Sequence, residues 1–593
     1  VPFGNASFGI QDAAQTYFGI DASELNAGQA AMLAGMVQSS SALNPYTNPE
    51  GVLERRNVVL DTMIANIPDR ASEFRALKET PLGVLPEPNR LPRGCIAAGD
   101  RGFFCDYALQ YLANAGISRE QIDKGGYLIK TTLDPAVQAS TKAALTANAR
   151  PNLDGIANVM NVVQPGQDSH RILAMGSSRT YGLDANASET VQAQPYSLAG
   201  HGAGSIFKIF TTAAAMEKGL GTSAVLDVPG RFEARGMGSG GARGCPAATY
   251  CVENAGRYPA ALSVTDALAQ SPNTAFVTGV APTVDMAVRL GLRSYAQPGT
   301  SGFDERSMAD FQKDQNLGSF TLGPTWINPL ELSNVAATLA SHGKWCPPTP
   351  IDSVFDREGK PVSVTQQACE QVVEPGLADT LTNAMSKDDK PGGTSAAAAG
   401  SVGWTLPMAG KTGTTESHMS SGFLGFTNNL AAAVYVFGDS PTPGEICSSP
   451  LRPCGDGNLF GGNEPARTWY AAMNPIVNNF GPTTLPPVDQ KYVRGSQNGQ
   501  VPDVVGLSQS AATSRLQAAG FTVNAVTTQA QAAKGTVTGA SPSGSAIPGS
   551  TITIYVSDGS VRAAPQQLPG QGIPLPPIQL PGLPPIQLPP IPR

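Results

Sequence analysis

Apolar positions along this chain change period several times, and the changes divide it into segments of different kinds. Within the first 68 residues, 27–37 is apolar on most faces and 57–67 repeats apolar residues at helical spacing, which predicts helices. Proline and charge rise over 81–92, the mark of a connecting region. Residues 126–134 alternate like a strand, and Pro135 is suited to an early position of a helix that follows. From about 155 to 480, β-type runs such as 172–175 and 430–437 mix with an apolar helix near 205–218. That mixture predicts an α+β domain with helices packed on a largely antiparallel sheet. Asn428-Asn429, set between 423–426 and 430–437, predicts a hairpin turn because asparagine tolerates positive φ. The Gly/Ala/Ser-rich stretch 391–403 predicts a mobile loop before that sheet edge. Residues 501–559 read as a compact module, with a helix from about 509 to 519 ended by Gly520 and short strands after it. It is reached through a polar, Pro/Gly-containing approach at 481–499. Beyond Ala563 a repeated Leu-Pro-Pro-Ile-Gln-Leu-Pro favours polyproline II and prevents a packed core.

A length of 593 residues calls for several domains. The net charge of -7 argues against a nucleic-acid partner, which needs a dense basic surface to displace counterions. The eight cysteines fall into four sequence-local couples, Cys95 with Cys105, Cys245 with Cys251, Cys346 with Cys369 and Cys447 with Cys454. Disulfides in an oxidising compartment are the reading preferred over zinc ligation or buried thiols, since there is no C-x-x-C pair and only four histidines. No metal or cofactor is expected. No stretch reaches the roughly 18 apolar residues of a membrane span, and no signal peptide opens the chain. The start at Val1-Pro2-Phe3 suggests a fragment of a longer, anchored precursor.

Three short motifs occur in order: Ser205-Ile206-Phe207-Lys208, Ser271-Pro272-Asn273 and Lys411-Thr412-Gly413-Thr414. Together they form a serine acyl-transfer constellation. Each alone is weak, and Ser341-His342-Gly343-Lys344 and Ser496-Gln497-Asn498 are chance copies of the first two. Context separates them. Ser205 follows Gly200, Gly202 and Gly204 and opens an apolar run, which places it at a helix N-terminus with Lys208 on the same face. A serine hydroxyl needs an adjacent base, and a lysine buried among Ile206, Phe207, Ile209 and Phe210 loses affinity for its proton. Singly, Ser205 reads as an N-cap and Lys208 as a solvated lysine. Ser271 ends a helix opened by a capping-box-like Ser263-Val264-Thr265-Asp266. A Ser-His-Asp triad fits poorly, because His170, His342 and His418 sit in no such motif; only His201, near Ser205, stays open.

The order Gly204-Ser205-x-Phe207-Lys208, Ser271-Pro272-Asn273, Lys411-Thr412-Gly413-Thr414-Thr415 resembles the class A, bifunctional penicillin-binding proteins. Phe8-Gly9-Ile10, Ala13-Ala14, Tyr17-Phe18 and Arg55-Arg56-x-Val58-Val59-Leu60 are similar to the end of their family 51 glycosyltransferase domain, and 501–559 resembles a PASTA module. The combination with a proline-rich tail looks actinobacterial. The resemblance implies a glycosyltransferase remnant over 1–68, a connecting region over 69–154, a serine β-lactamase-like transpeptidase domain over 155–480, a linker over 481–499, PASTA over 500–559 and a disordered tail over 560–593. It makes Ser205 the nucleophile toward D-alanyl-D-alanine and Lys208 the base, with Ser271 relaying a proton beside Lys411. Asn273, Thr412, Gly413 and Thr414 would bind substrate, and the main-chain N–H groups of Ser205 and Thr414 would form the oxyanion hole. Expected partners are peptidoglycan stem peptides, β-lactams and other wall enzymes through the module or tail, outside the plasma membrane. Two departures stand out. The glycosyltransferase's ED-x-x-F motif is missing, so the chain is expected not to polymerise glycan, and Gly422-Phe423-Leu424-Gly425 replaces Trp-Phe-x-Gly. A β-lactamase lacks its E-x-x-L-N motif here, Glu331-Leu332-Ser333-Asn334 having the wrong spacing; a D,D-carboxypeptidase and a wall-binding scaffold that senses β-lactams remain open.

Overall fold

A six-stranded sheet lies at the centre of the computed structural model, which describes residues 1–560 apart from 6, 90–93, 153–154, 278, 441–443, 445, 447–459, 497–498 and 547–548. Its strands are β1 (Ile156–Gln164), β2 (His170–Ser177), β3 (Pro348–Thr349), β4 (Ala409–Thr414), β5 (Ser420–Phe426) and β6 (Ala431–Gly438). In space they run β3-β2-β1-β6-β5-β4. All neighbours are antiparallel except β3 with β2.

Every residue of β5 and β6 is buried, whereas a one-sided antiparallel sheet alternates apolar with polar. Both faces of this sheet are covered. Ala431, Ala433, Tyr435 and Phe437 join a core with α2 (Lys208–Glu217) and α4 (Pro329–Ala340). Ala432 and Val434 join a second core with α1 (Pro135–Asn148) and α6 (Glu464–Met473), filled by Trp469 and Tyr470. Two-sided burial is why 430–437 reads as an unbroken apolar run. Asp134 caps α1, accepting from the main-chain N–H of Ala136 (2.8 Å) and Val137 (3.1 Å), and Pro135 opens the helix as expected.

The β5–β6 hairpin is present, with Phe426 opposite Ala431, but its chemistry differs from the expectation. Neither asparagine takes positive φ. Thr427 Oγ1 instead accepts from the N–H of Asn429 (3.2 Å) and Leu430 (3.1 Å). The stretch 391–403, expected as a mobile loop, contains a helix at Ala396–Ser401, because alanine is the strongest helix former, and Ser395 N–H is tied to the Asp388 carbonyl (3.0 Å). Residues 69–154, expected as a connection, are largely helical: Ala71–Lys78, Gly102–Asn114 and α1, with Phe103, Phe104 and Leu112 in the main core.

The N-terminal segment is built from helices Ile10–Phe18, Ala27–Met36 and Pro49–Asn66. The C-terminal module has its own core, with Val504, Leu516, Ile552 and Ile554 inside a helix (Gln509–Ala518) and a three-stranded sheet. The approach at 481–499 is bound to the central domain: Thr222 and Ser223 donate main-chain N–H to Tyr492 O (2.9 Å) and Val493 O (3.0 Å). Disulfides join Cys95–Cys105, Cys245–Cys251 and Cys346–Cys369. The fourth couple, Cys447 with Cys454, and the proline-rich tail lie outside the described residues.

Candidate active site

Three chain segments meet at the open edge of the sheet. Ser205 sits in a 3-10 turn, Gly204–Phe207, that leads directly into α2. Ser271 caps the C-terminus of α3 (Val264–Gln270) in the left-handed conformation (φ 66°), which costs a non-glycine residue about 1 kcal/mol or more. This conformation lets its N–H close the helix on Ala267 O (2.8 Å) while its carbonyl and hydroxyl both face Lys208. Asn254, which belongs to no motif and escaped the sequence reading, holds this segment's backbone by accepting from Asn273 N–H (2.7 Å) and Thr274 N–H (3.1 Å). Lys411, Thr412, Gly413 and Thr414 lie on β4, the edge strand.

Two buried lysines converge on one hydroxyl. Lys208 Nζ donates to Ser271 O (2.7 Å), Asn273 Oδ1 (2.9 Å) and Ser271 Oγ (3.1 Å). Lys411 Nζ donates to Ser271 Oγ (2.9 Å) and Thr412 O (3.1 Å). Both ammonium groups are withdrawn from solvent. Burial, and secondarily the Lys411 charge, pushes Lys208 well below the usual lysine range. Burial brings Lys411 down to about 8 against the opposing pull of Asp388. The three contacts of Lys208 serve Ser271 and Asn273, and the Ser205 hydroxyl takes no hydrogen-bond partner among the described residues. For Lys208 to accept a proton from a neighbouring hydroxyl it would have to release one contact, of which that to Ser271 Oγ is the longest. Such bonds often tighten only when substrate binds.

Glycines permit the close approach of β4 to the Ser205 turn. A Cβ at Gly413 would lie 1.9 Å from Ala203 O, and one at Gly204 would lie 2.5 Å from Thr414 O. Main chains at 203–205 and 413–414 therefore abut, side by side. The threonine hydroxyls are already engaged: Thr414 Oγ1 accepts from Gly461 N–H (3.0 Å) and Thr412 Oγ1 pairs with Thr394 Oγ1 (2.5 Å). Thr394 and Asp388, which stands behind it, also escaped the sequence reading. Both lie in or beside the stretch read there as a loop.

The duplicate S-x-x-K belongs to the scaffold. Ser341 Oγ accepts from Gly166 N–H (3.0 Å) and contacts His170 Nε2 (3.0 Å), while His170 Nδ1 meets Asn334 Oδ1 (2.7 Å). Glu331 accepts from Ser294 N–H (2.8 Å) and Oγ (2.6 Å), so both polar ends of the false lactamase motif are structural. Burial lowers the His170 imidazole to about 4. A depressed histidine gives stability that is full above its unfolded value near 6.5 and lost as pH falls toward 4, by about 3 kcal/mol at most. His170→Gln should flatten the acid limb of a melting-temperature profile. Ser341→Ala should cost about 1–3 kcal/mol in denaturant titration by stranding buried partners, and leave acylation unchanged.

Domain-family comparisons match three segments: "Transglycosylase" at 1–64, "Penicillin binding protein transpeptidase domain" at 166–439 and "PASTA domain" at 499–558. In carrying these three matches in one order, the chain is similar to the class A penicillin-binding proteins. Among curated relatives, penicillin-binding protein 1A of Mycobacterium tuberculosis is 25% identical over 82% of this chain and 56% of its own length. The protein of the same name from Mycolicibacterium smegmatis is 25% identical over 80% and 57%. The chain thus spans little more than half the length of these relatives. Of solved structures, the Mycobacterium tuberculosis PonA1 protein in complex with penicillin V superposes with a TM-score of 0.52 at 21% identity, covering 66% of this chain and 97% of that one. Penicillin-binding protein 1A from Haemophilus influenzae gives 0.56 at 19% identity, covering 84% and 88%. These likenesses establish the shared α+β fold with a helical N-terminal segment, and the family match adds the PASTA module. No helix among the described residues is long and apolar enough to cross a membrane.

Proposed function

We propose that this chain is a D,D-transpeptidase that cross-links peptidoglycan stem peptides on the outer side of the plasma membrane, and that β-lactams inhibit it covalently. The observation that carries this reading is the convergence of Lys208 and Lys411 on Ser271 Oγ beside the Ser205 turn. Ser205 Oγ attacks the carbonyl of the penultimate D-alanine as Lys208 takes its proton. The C–N bond then breaks, and the leaving amine receives that proton through Ser271, whose hydroxyl bridges the two lysines. The abutting main chains at 204–205 and 414 suit an oxyanion hole formed by the N–H groups of Ser205 and Thr414. Asn273 holds the peptide amide, and Thr412 and Thr414 face the terminal carboxylate beside Gly413. An acceptor amine attacks the ester and Ser205 regains its proton, so the cycle is closed without cofactor or metal. The transglycosylase match at 1–64 supports glycosyltransferase activity in a longer parent protein, with the PASTA module available to wall fragments or other wall enzymes.

A D-alanyl thioester donor supplied with a D-amino acid acceptor tests the reading. Ligated product is expected. Hydrolysis without ligation would make the chain a carboxypeptidase, and no turnover would favour the scaffold that senses β-lactams.

A further inference from the structure

Behind the strand that carries Lys411 lies a carboxyl group to which the acyl-transfer steps assign no role. Asp388 is buried, its Oδ1 takes a hydrogen bond of 2.7 Å with Thr394 Oγ1, and Thr394 Oγ1 is 2.5 Å from Thr412 Oγ1. The other oxygen, Oδ2, has no hydrogen-bond partner. No cation lies within ion-pair distance of Asp388 among the described residues; the neighbouring Asp389 takes Lys390 instead (2.8 Å). The ionisable groups facing Asp388 are Lys411 from β4, Asp389 beside it, and Tyr470 from α6.

The chemistry of a hydroxyl chain gives this arrangement a direction. A carboxylate only accepts, so an ionised Asp388 would draw the Thr394 hydrogen toward itself. Thr394 would then accept from Thr412, and Thr412 would turn only lone pairs toward an incoming carboxylate. A protonated Asp388 reverses every link: it donates to Thr394, Thr394 donates to Thr412, and the Thr412 hydrogen is free to point into the site. We infer that Asp388 is a positioning residue which, as the proton-bearing end of the Asp388–Thr394–Thr412 chain, turns the Thr412 hydroxyl outward to donate to a ligand's carboxylate. A buried carboxylate with one hydroxyl partner and no ion pair is costly, and burial raises Asp388 above the usual aspartate range against the opposing pull of Lys411, in keeping with the neutral form.

The inference rests on the acyltransferase reading, and its test separates the two. Acylation rate constants are measured for a penicillin and for its methyl ester, which keeps the reactive ring but loses the carboxylate charge. The readout is the ratio of the two. Thr394→Val and Asp388→Ala should each lower the preference for the free acid by about tenfold, the scale of one hydrogen bond to a charged group, with less change toward the ester. Asp388→Asn places an amide whose N–H can donate to Thr394 without ionising, so it should keep the preference within about threefold. A ratio unchanged in Thr394→Val overturns the inference even if Asp388→Ala fails to fold, and so does a ratio that collapses in Asp388→Asn. Absence of an adduct with either compound on the unaltered protein overturns the underlying reading and this inference with it.

Discussion

Incubation with penicillin should add one penicilloyl mass to the peptide that carries Ser205, and Ser205→Ala should remove it altogether. The adduct should last many minutes in intact-mass measurements. Among the described residues no hydrogen bond of Lys208, Ser271 or Lys411 runs to a carboxylate that could activate water, and Glu331 is committed to Ser294. Lys208→Ala should slow acylation by about 100-fold or more, the scale of a lost general base. It also leaves Ser271 O, Ser271 Oγ and Asn273 Oδ1 without the donor they share, so a melting curve should accompany the rate. Because Lys208 is held below the usual lysine range, its neutral, proton-accepting form is more abundant near neutrality than that of an exposed lysine. Adduct on a peptide lacking Ser205, or an essential Lys344 in place of Lys208, would defeat the assignment.

The second large effect belongs to a residue with no functional group. Gly413→Ala places a methyl 1.9 Å from Ala203 O and 3.0 Å from Ile206 Cγ1, and neither neighbour is the free end of a flexible chain. Strand β4 must then separate from the Ser205 turn by about 1 Å or more, a misplacement that can cost about 100-fold in rate. We expect acylation to fall by about that factor while circular dichroism retains the native spectrum. Gly400→Ala is the control: a Cβ there meets nothing within 4 Å, and the rate should hold. Equal rates in Gly413→Ala and the parent would show that the close approach is dispensable.

What could be read from residues alone was whatever local chemistry imposes. Asp134-Pro135 announced a helix start, and the order of S-x-x-K, S-x-N and K-T-G brought the acyl-transfer constellation and the family into view. The module at 501–559 was legible because its core is built from its own neighbours in sequence. Long-range packing decided the rest. Alanines at 396–399 look like a loop beside glycine and serine, yet they fold as a helix whose approach ties Thr394 to Thr412 and Asp388. Asn254 and Gly461 reach the site across long stretches of chain, so no spacing rule could assign them. Spacing placed Lys208 on one face with Ser205. Only the left-handed turn at Ser271 decided where its protons point, because hydrogen-bond direction is set by the partners that folding brings within 3 Å.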